Sequence, residues 1–225
     1  MPATNIDTEK QRRLRRVRLY VVSDASAPVA RALACVAAAC DGGADAVQLR
    51  RKGDAGLTDY RLAERCRELT AAAGVLLIVN DRIDIAMACA ADGVHLGQDD
   101  LPVAVARRLW PEGIVGRSTH SVEQAIAALG DGADYLGVGP VFVTPTKPKT
   151  PAVGLELVSA VATAGLPIPW VAIGGIDRDN LSTVLEAGAP AVAVVRAVCA
   201  ADDPRAAARE LRRLVDARRS AEVMA

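Results

Sequence analysis

Apolar residues along this chain alternate between two textures. Residues 18–24, 46–49, 75–80, 93–96, 114–117, 135–139, 170–173 and 191–195 form short runs of Val, Ile, Leu, Ala and Gly with little charge inside them. Such runs predict strands of a parallel sheet covered on both faces. The segments between them place apolar residues at helical spacing. In residues 57–73, Leu62, Ala63, Cys66 and Leu69 share one face and the charges lie opposite, which predicts an amphipathic helix. Residues 122–129, 155–164, 180–187 and 204–217 read the same way. Asp24-Ala25-Ser26 and Asp177 stand where helices start, and Gly130, Gly165 and Gly188 where they stop. Eight strand–helix units of about 20 to 30 residues each predict an α/β fold, a (β/α)8 TIM barrel, in preference to an open sheet.

No linker or break in composition divides the chain. A single barrel over residues 17–219 is therefore expected, between an N-terminal polar arm, 1–16, and a short tail, 220–225. The arm carries EKQRRLRR without the apolar core or cleavage site of a secretion signal, and is expected to be solvated and partly helical. With 51% hydrophobic but only 3% aromatic residues, the interior is expected to be Ala, Val, Leu and Ile. Zero net charge gives no general attraction to nucleic acid or an anionic membrane, and no apolar run approaches the roughly 18 residues of a spanning helix. The five cysteines form no CxxC pair and are odd in number, so they are expected to be reduced residues of a cytoplasmic protein.

In a barrel, chemistry gathers at the carboxyl ends of the strands. Polar residues of this chain concentrate there. The stretch 133–148, ADYLGVGPVFVTPTKP, starts as a buried strand and breaks at Gly139-Pro140 into a Pro-stiffened loop carrying Thr144, Thr146 and Lys147. Hydroxyls beside an ammonium on a rigid loop suit a phosphorylated ligand. Gln48, Arg50 and Lys52 alternate, so an extended backbone points them to one side, where two cations call for an anion such as diphosphate. Arg51 points away and is expected to be a solvated charge. Asp81 and Asp100, 19 residues apart on loops of consecutive strands, are hard oxygen donors that suit Mg²⁺. Both also read as helix caps, Asp100 for a helix starting at Leu101. Gly174-Gly175 and the turn near Arg196 follow the last two strands, where barrels hold phosphate on backbone N–H groups. Together with Lys147 they suggest two phosphate sites, hence two phosphorylated substrates. His120 reads either as a histidine bonded into a helix start or as a proton carrier.

The runs VQLRRKG, VNDRIDIA, GVHLGQDDL, GRSTHS, GADYLGVGPVFVTPTKP and VAIGGI, spread over residues 18–198, closely resemble the thiamine phosphate synthase family. The resemblance implies a barrel enzyme that joins 4-amino-2-methyl-5-hydroxymethylpyrimidine diphosphate to 4-methyl-5-(2-phosphooxyethyl)thiazole, giving thiamine phosphate and diphosphate by Mg²⁺-assisted dissociative substitution. It makes Asp81 and Asp100 the metal ligands. Gln48, Arg50, Lys52, Asn80, Ser118 and Lys147 would hold the pyrimidine diphosphate, with Arg50, Lys52, Ser118 and Lys147 as the catalytic set. Thr144, Thr146, Gly175, Val195 and Arg196 would bind the thiazole phosphate. Two positions depart from the family pattern. Arg51 replaces an acidic residue and is expected to be silent, whereas Arg196 replaces a serine and bears on the thiazole phosphate. The alternatives are a thiazole tautomerase, which needs a proton carrier but no metal, and a non-catalytic phosphate-ligand sensor. The expected partners are two small molecules and neither nucleic acid nor membrane, with a homo-oligomer left open.

Overall fold

The computed structural model describes residues 9–52, 56–146 and 150–224. The chain runs α1 (Glu9–Arg15), β1 (Leu19–Val22), α2 (Val29–Asp41), β2 (Ala46–Leu49), α3 (Gly56–Ala73), β3 (Leu76–Asn80), α4 (Ile83–Ala88), β4 (Gly93–Leu96) and α5 (Val103–Leu109). It continues through β5 (Ile114–Thr119), α6 (Val122–Gly130), β6 (Tyr135–Val138), α7 (Gly154–Ala164), β7 (Trp170–Ile173), α8 (Leu181–Glu186), β8 (Val192–Val194), α9 (Arg196–Cys199) and α10 (Pro204–Met224). The eight strands are parallel and close in sequence order, β8 pairing back onto β1, so the chain is a (β/α)8 barrel as expected.

Strand alternation sorts the core into two layers. Leu19, Val21, Val47, Leu49, Leu77, Val79, Val94, Leu96, Val115 and Leu136 point outward and meet the helices. Tyr20, Val22, Ala46, Leu76, Ile78, Ile114, Tyr135, Val171 and Ala193 point inward and fill the barrel. The aliphatic interior expected from composition is thus incomplete, because two of the three tyrosines lie in it. The polar arm also differs from the expectation of a solvated segment. Leu14, at the end of α1, and Val17 are buried against Tyr20, Ala46, Ile78 and Trp170, closing the floor of the barrel at the amino ends of the strands.

Three aspartates stitch that floor. Asp45 Oδ2 accepts from the N–H groups of Arg18 and Leu19, Asp92 Oδ2 from Leu77 and Asp134 Oδ2 from Val115. Each acid precedes an even-numbered strand and satisfies the backbone of the odd strand before it. Each is also paired with an arginine, Arg212, Arg67 and Arg107 in turn. The fourth equivalent position, directly before β8, is Ala191 and has no carboxylate to offer.

Two further expectations are corrected. Asp24 does not cap α2, whose N-cap is Pro28; its Oδ1 instead accepts from Ser26 N and Oγ in a turn upstream. The cysteines are not all reduced, since Cys35 on α2 and Cys199 on α9 form a disulfide, their Cα atoms 5.5 Å apart across 164 residues of sequence. Cys40, Cys66 and Cys89 are free thiols, and burial pushes Cys40 up to about 11 and Cys66 to about 12, which keeps both protonated. Among the described residues no helix is long and apolar enough to cross a membrane.

Candidate active site

The carboxyl ends of the strands surround a cavity of about 940 Å³. Gln48, Arg50, Lys52, Asn80, Asp81, Asp100, Ser118, Thr144, Thr146, Gly175, Val195 and Arg196 all line it. Of the residues expected from sequence, Lys147 alone lies outside the described residues, directly after Thr146 in the chain.

One wall is acidic. β3 ends at Asn80, and Asp81 then takes a left-handed backbone, φ 61°, with its N–H bonded to His95 O on the neighbouring strand. This conformation is unusual for a residue with a side chain, and it turns the carboxylate into the mouth. Asp100 Oδ2 accepts from Gly97 N at 2.6 Å, which holds it over the end of β4. Neither acid caps a helix, because the N-caps of α4 and α5 are Arg82 and Pro102. The two carboxyl groups are within hydrogen-bonding reach of each other. Burial, and then the hydrogen bond and repulsion from Asp100, raise the pKa of Asp81, while Lys52 pulls it down. A half-buried carboxyl pair of this kind calls for a cation. Among the described residues no three His, Cys, Asp or Glu side chains gather round one point. Two carboxylates beside open space are the donor set that Mg²⁺ accepts, its other positions going to water and phosphate oxygens, so the residues present fit that ion.

The next wall is cationic and amide-rich. Lys52 Nζ lies 3.3 Å from Asp81 Oδ2. Arg50 follows β2, its backbone N–H fixed by Ser23 Oγ at 2.9 Å and its side chain on the cavity. Asn80 Nδ2 is buried and has no protein partner, an unmet donor at the cavity edge. Arg51 does point away, but it is not a solvated charge: its guanidinium bonds Asp59 at 3.3 Å and Ala27 O at 2.5 Å.

The opposite wall is the loop after β6. Val141 N and Phe142 N bond to Ile173 O and Gly174 O, both at 2.9 Å, pressing the loop onto the turn after β7. Gly174 and Gly175 have φ of 108° and 66°, and a Cβ on Gly175 would fall 2.7 Å from Phe142 Cβ, so this close approach demands glycine. Thr144 Oγ1 accepts from Thr146 N at 3.3 Å, setting both hydroxyl residues on the same cavity edge. Arg196, the first residue of α9, is exposed beside them. His120 is occupied elsewhere, with Nδ1 bonded to Gly139 O and its backbone N–H capped by Gln124 Oε1. That arrangement matches the structural reading of His120.

A family model described as thiamine monophosphate synthase matches residues 19–198. The chain belongs to that family. A thiamine-phosphate synthase of Chloroflexus aurantiacus is 52% identical over 200 residues, covering 88% of this chain and 92% of its own. One from Mycolicibacterium vanbaalenii is 47% identical over 217 residues, covering 92% and 98%. The solved thiamine phosphate pyrophosphorylase from Pyrococcus furiosus superposes with a TM-score of 0.82 at 39% identity, covering 92% of this chain and 97% of that one. Thiamine-phosphate synthases are transferases, and the fold found here is theirs. For a member of this family, sequence reasoning passed over Tyr20, Tyr135 and His95, which the barrel brings together beneath Gln48 and Ser118. A tyrosine at an inward strand position opposite Gly116 was the available signal.

Proposed function

We propose that this chain is a thiamine phosphate synthase whose cavity holds an aminopyrimidine diphosphate against the Asp81–Lys52 wall and a thiazole phosphate under the Thr144–Thr146 loop. The observation carrying this reading is that one cavity faces a carboxylate pair, two cations and the unmet Asn80 donor towards a second cluster of hydroxyls and glycine backbone. That is two anion sites, with space between them for the reacting atoms to meet.

Arg50, Lys52 and Lys147 offset the charge that builds on the diphosphate as its bond to the pyrimidine methylene lengthens. Asn80 and Ser118 fix its orientation, and Thr144, Thr146, Gly175, Val195 and Arg196 hold the thiazole phosphate so that its ring nitrogen faces the methylene. Between Asp81 and Asp100, Mg²⁺ would add neutralising charge to the leaving diphosphate. A neutral ring nitrogen already carries its lone pair, so no base is needed, in keeping with a His120 ring already engaged by Gly139 O.

The test is turnover of purified chain with both substrates, with and without Mg²⁺. Metal-dependent diphosphate release that requires the thiazole phosphate is expected. Metal-independent isomerisation of a thiazole phosphate carboxylate would identify a tautomerase instead, and binding without turnover a sensor.

A further inference from the structure

Five polar side chains run in a line across the barrel interior and end in the cavity at both extremes. Gln48 Nε2 donates to the Tyr20 hydroxyl at 3.0 Å, and the Tyr20 and Tyr135 hydroxyls are 2.9 Å apart. The Tyr135 hydroxyl is 2.9 Å from His95 Nδ1, and His95 Nε2 is 2.9 Å from Ser118 Oγ. The line passes through β2, β1, β6, β4 and β5, and everything between its ends is buried. Burial raises both phenols far above their ordinary range, so each keeps its proton.

An amide N–H can only donate, and this fixes the sense of every other bond. Tyr20, already accepting from Gln48, donates to Tyr135. Tyr135 donates to His95 Nδ1. The His95 proton therefore sits on Nε2 and goes to Ser118 Oγ, and the Ser118 proton turns outward. An imidazole protonated on Nδ1, alone or together with Nε2, would donate to Tyr135 and leave one of the two phenol protons buried with no acceptor in the line. The backbone makes room for the line. A Cβ on Gly116 would lie 2.6 Å from His95 Nδ1 and collide with the Tyr135 ring, and one on Gly137 would lie 3.2 Å from His95 Cε1.

We infer that Gln48, Tyr20 and Tyr135 lock His95 in its Nε2–H tautomer, so that Ser118 faces the cavity as a hydrogen-bond donor. Tyr20, Tyr135 and His95 are then positioning residues acting through Gln48 and Ser118. The cavity selects a substrate with an acceptor atom, a ring nitrogen or a phosphoryl oxygen, opposite Ser118. The effect on turnover rests on the proposed pyrimidine diphosphate site, whereas the tautomer is a property of the ligand-free chain, so the two fail separately.

The experiment is nitrogen NMR of the ligand-free full chain labelled at histidine. There are only two histidines, and His120→Gln assigns them. Wild type is expected to show His95 protonated on Nε2 and bare on Nδ1 at neutral pH. Gln48→Glu, which as a carboxylate can only accept, reverses the line at a pH where that side chain is ionised and moves the proton to Nδ1. Tyr135→Phe cuts the line, mixes the tautomers, and raises the KM for the pyrimidine diphosphate about tenfold while leaving that for the thiazole phosphate unchanged. A wild-type ring protonated on Nδ1, alone or with Nε2, overturns the inference, as does a tautomer unmoved in both variants. An unchanged KM in Tyr135→Phe overturns the positioning role even where the tautomer is as stated.

Discussion

Lys52 Nζ lies 3.3 Å from Asp81 Oδ2, a contact that ties the end of β2 to the end of β3 across the cavity mouth. Lys52 is exposed beyond this contact, so its ammonium remains available to an arriving anion, and the function proposed above assigns Asp81 with Asp100 to a metal. Asp100→Ala is therefore expected to lower kcat/KM by about 100-fold or more, since a bound divalent ion contributes several kcal/mol to transition-state charge. The melting temperature should stay close to wild type, because Asp100 sits on the rim. Normal turnover in this variant would remove the metal assignment.

Asp81 gives the pH dependence. Its raised pKa means that the folded chain holds a proton where an ordinary aspartate has lost it, so Mg²⁺ must displace that proton. Mg²⁺ affinity should fall as pH drops through the window just above the ordinary carboxylate range. Without metal the folded state binds more protons there than the unfolded state, so stability should decline as pH rises through the same window and recover on adding Mg²⁺. Calorimetric titration at several pH values checks this, and a pH-independent affinity would contradict it.

Asp92 at the floor should behave in the opposite way to Asp100 at the mouth. Its side chain is 2% exposed, paired with Arg67 at 2.7 Å and bonded to Leu77 N at 2.9 Å. Asp92→Ala strands a buried N–H and is expected to cost about 1–3 kcal/mol, a fall of roughly 2–12 °C in melting temperature. Turnover per folded molecule should be unchanged. A loss of activity with no loss of stability would show that floor and mouth are coupled.

Arg196 is expected to be dispensable for the chemical step. It is exposed at the cavity edge, where the family pattern has serine, and a hydroxyl there can still donate to phosphate. Arg196→Ser should keep kcat within about threefold and leave the thiazole phosphate KM the same or lower. Collapse of kcat would show that the guanidinium has become a required ligand.

The strands were legible because burial on both faces leaves unbroken apolar runs, and the mouth was legible because a barrel sends the residues that end its strands to one place. Other features needed partners that spacing does not reveal. Cys35 and Cys199 meet only because the first and last units are neighbours in a closed ring. Asp81 and Asp100 look like helix caps in sequence, but the helices begin at Ile83 and Val103, beyond their reach. Arg51 looked free because Asp59, its partner, belongs to the next helix. The inward tyrosines were missed because a low aromatic count says nothing of where the few aromatics go.

Strand pairing alone shuts the ring between β8 and β1, yet the sulfur–sulfur bond from α2 to α9 makes that seam covalent. The polypeptide from Cys35 to Cys199 is thus a macrocycle. A single peptide bond severed anywhere within it leaves one connected molecule, which separates into two pieces only under reductant.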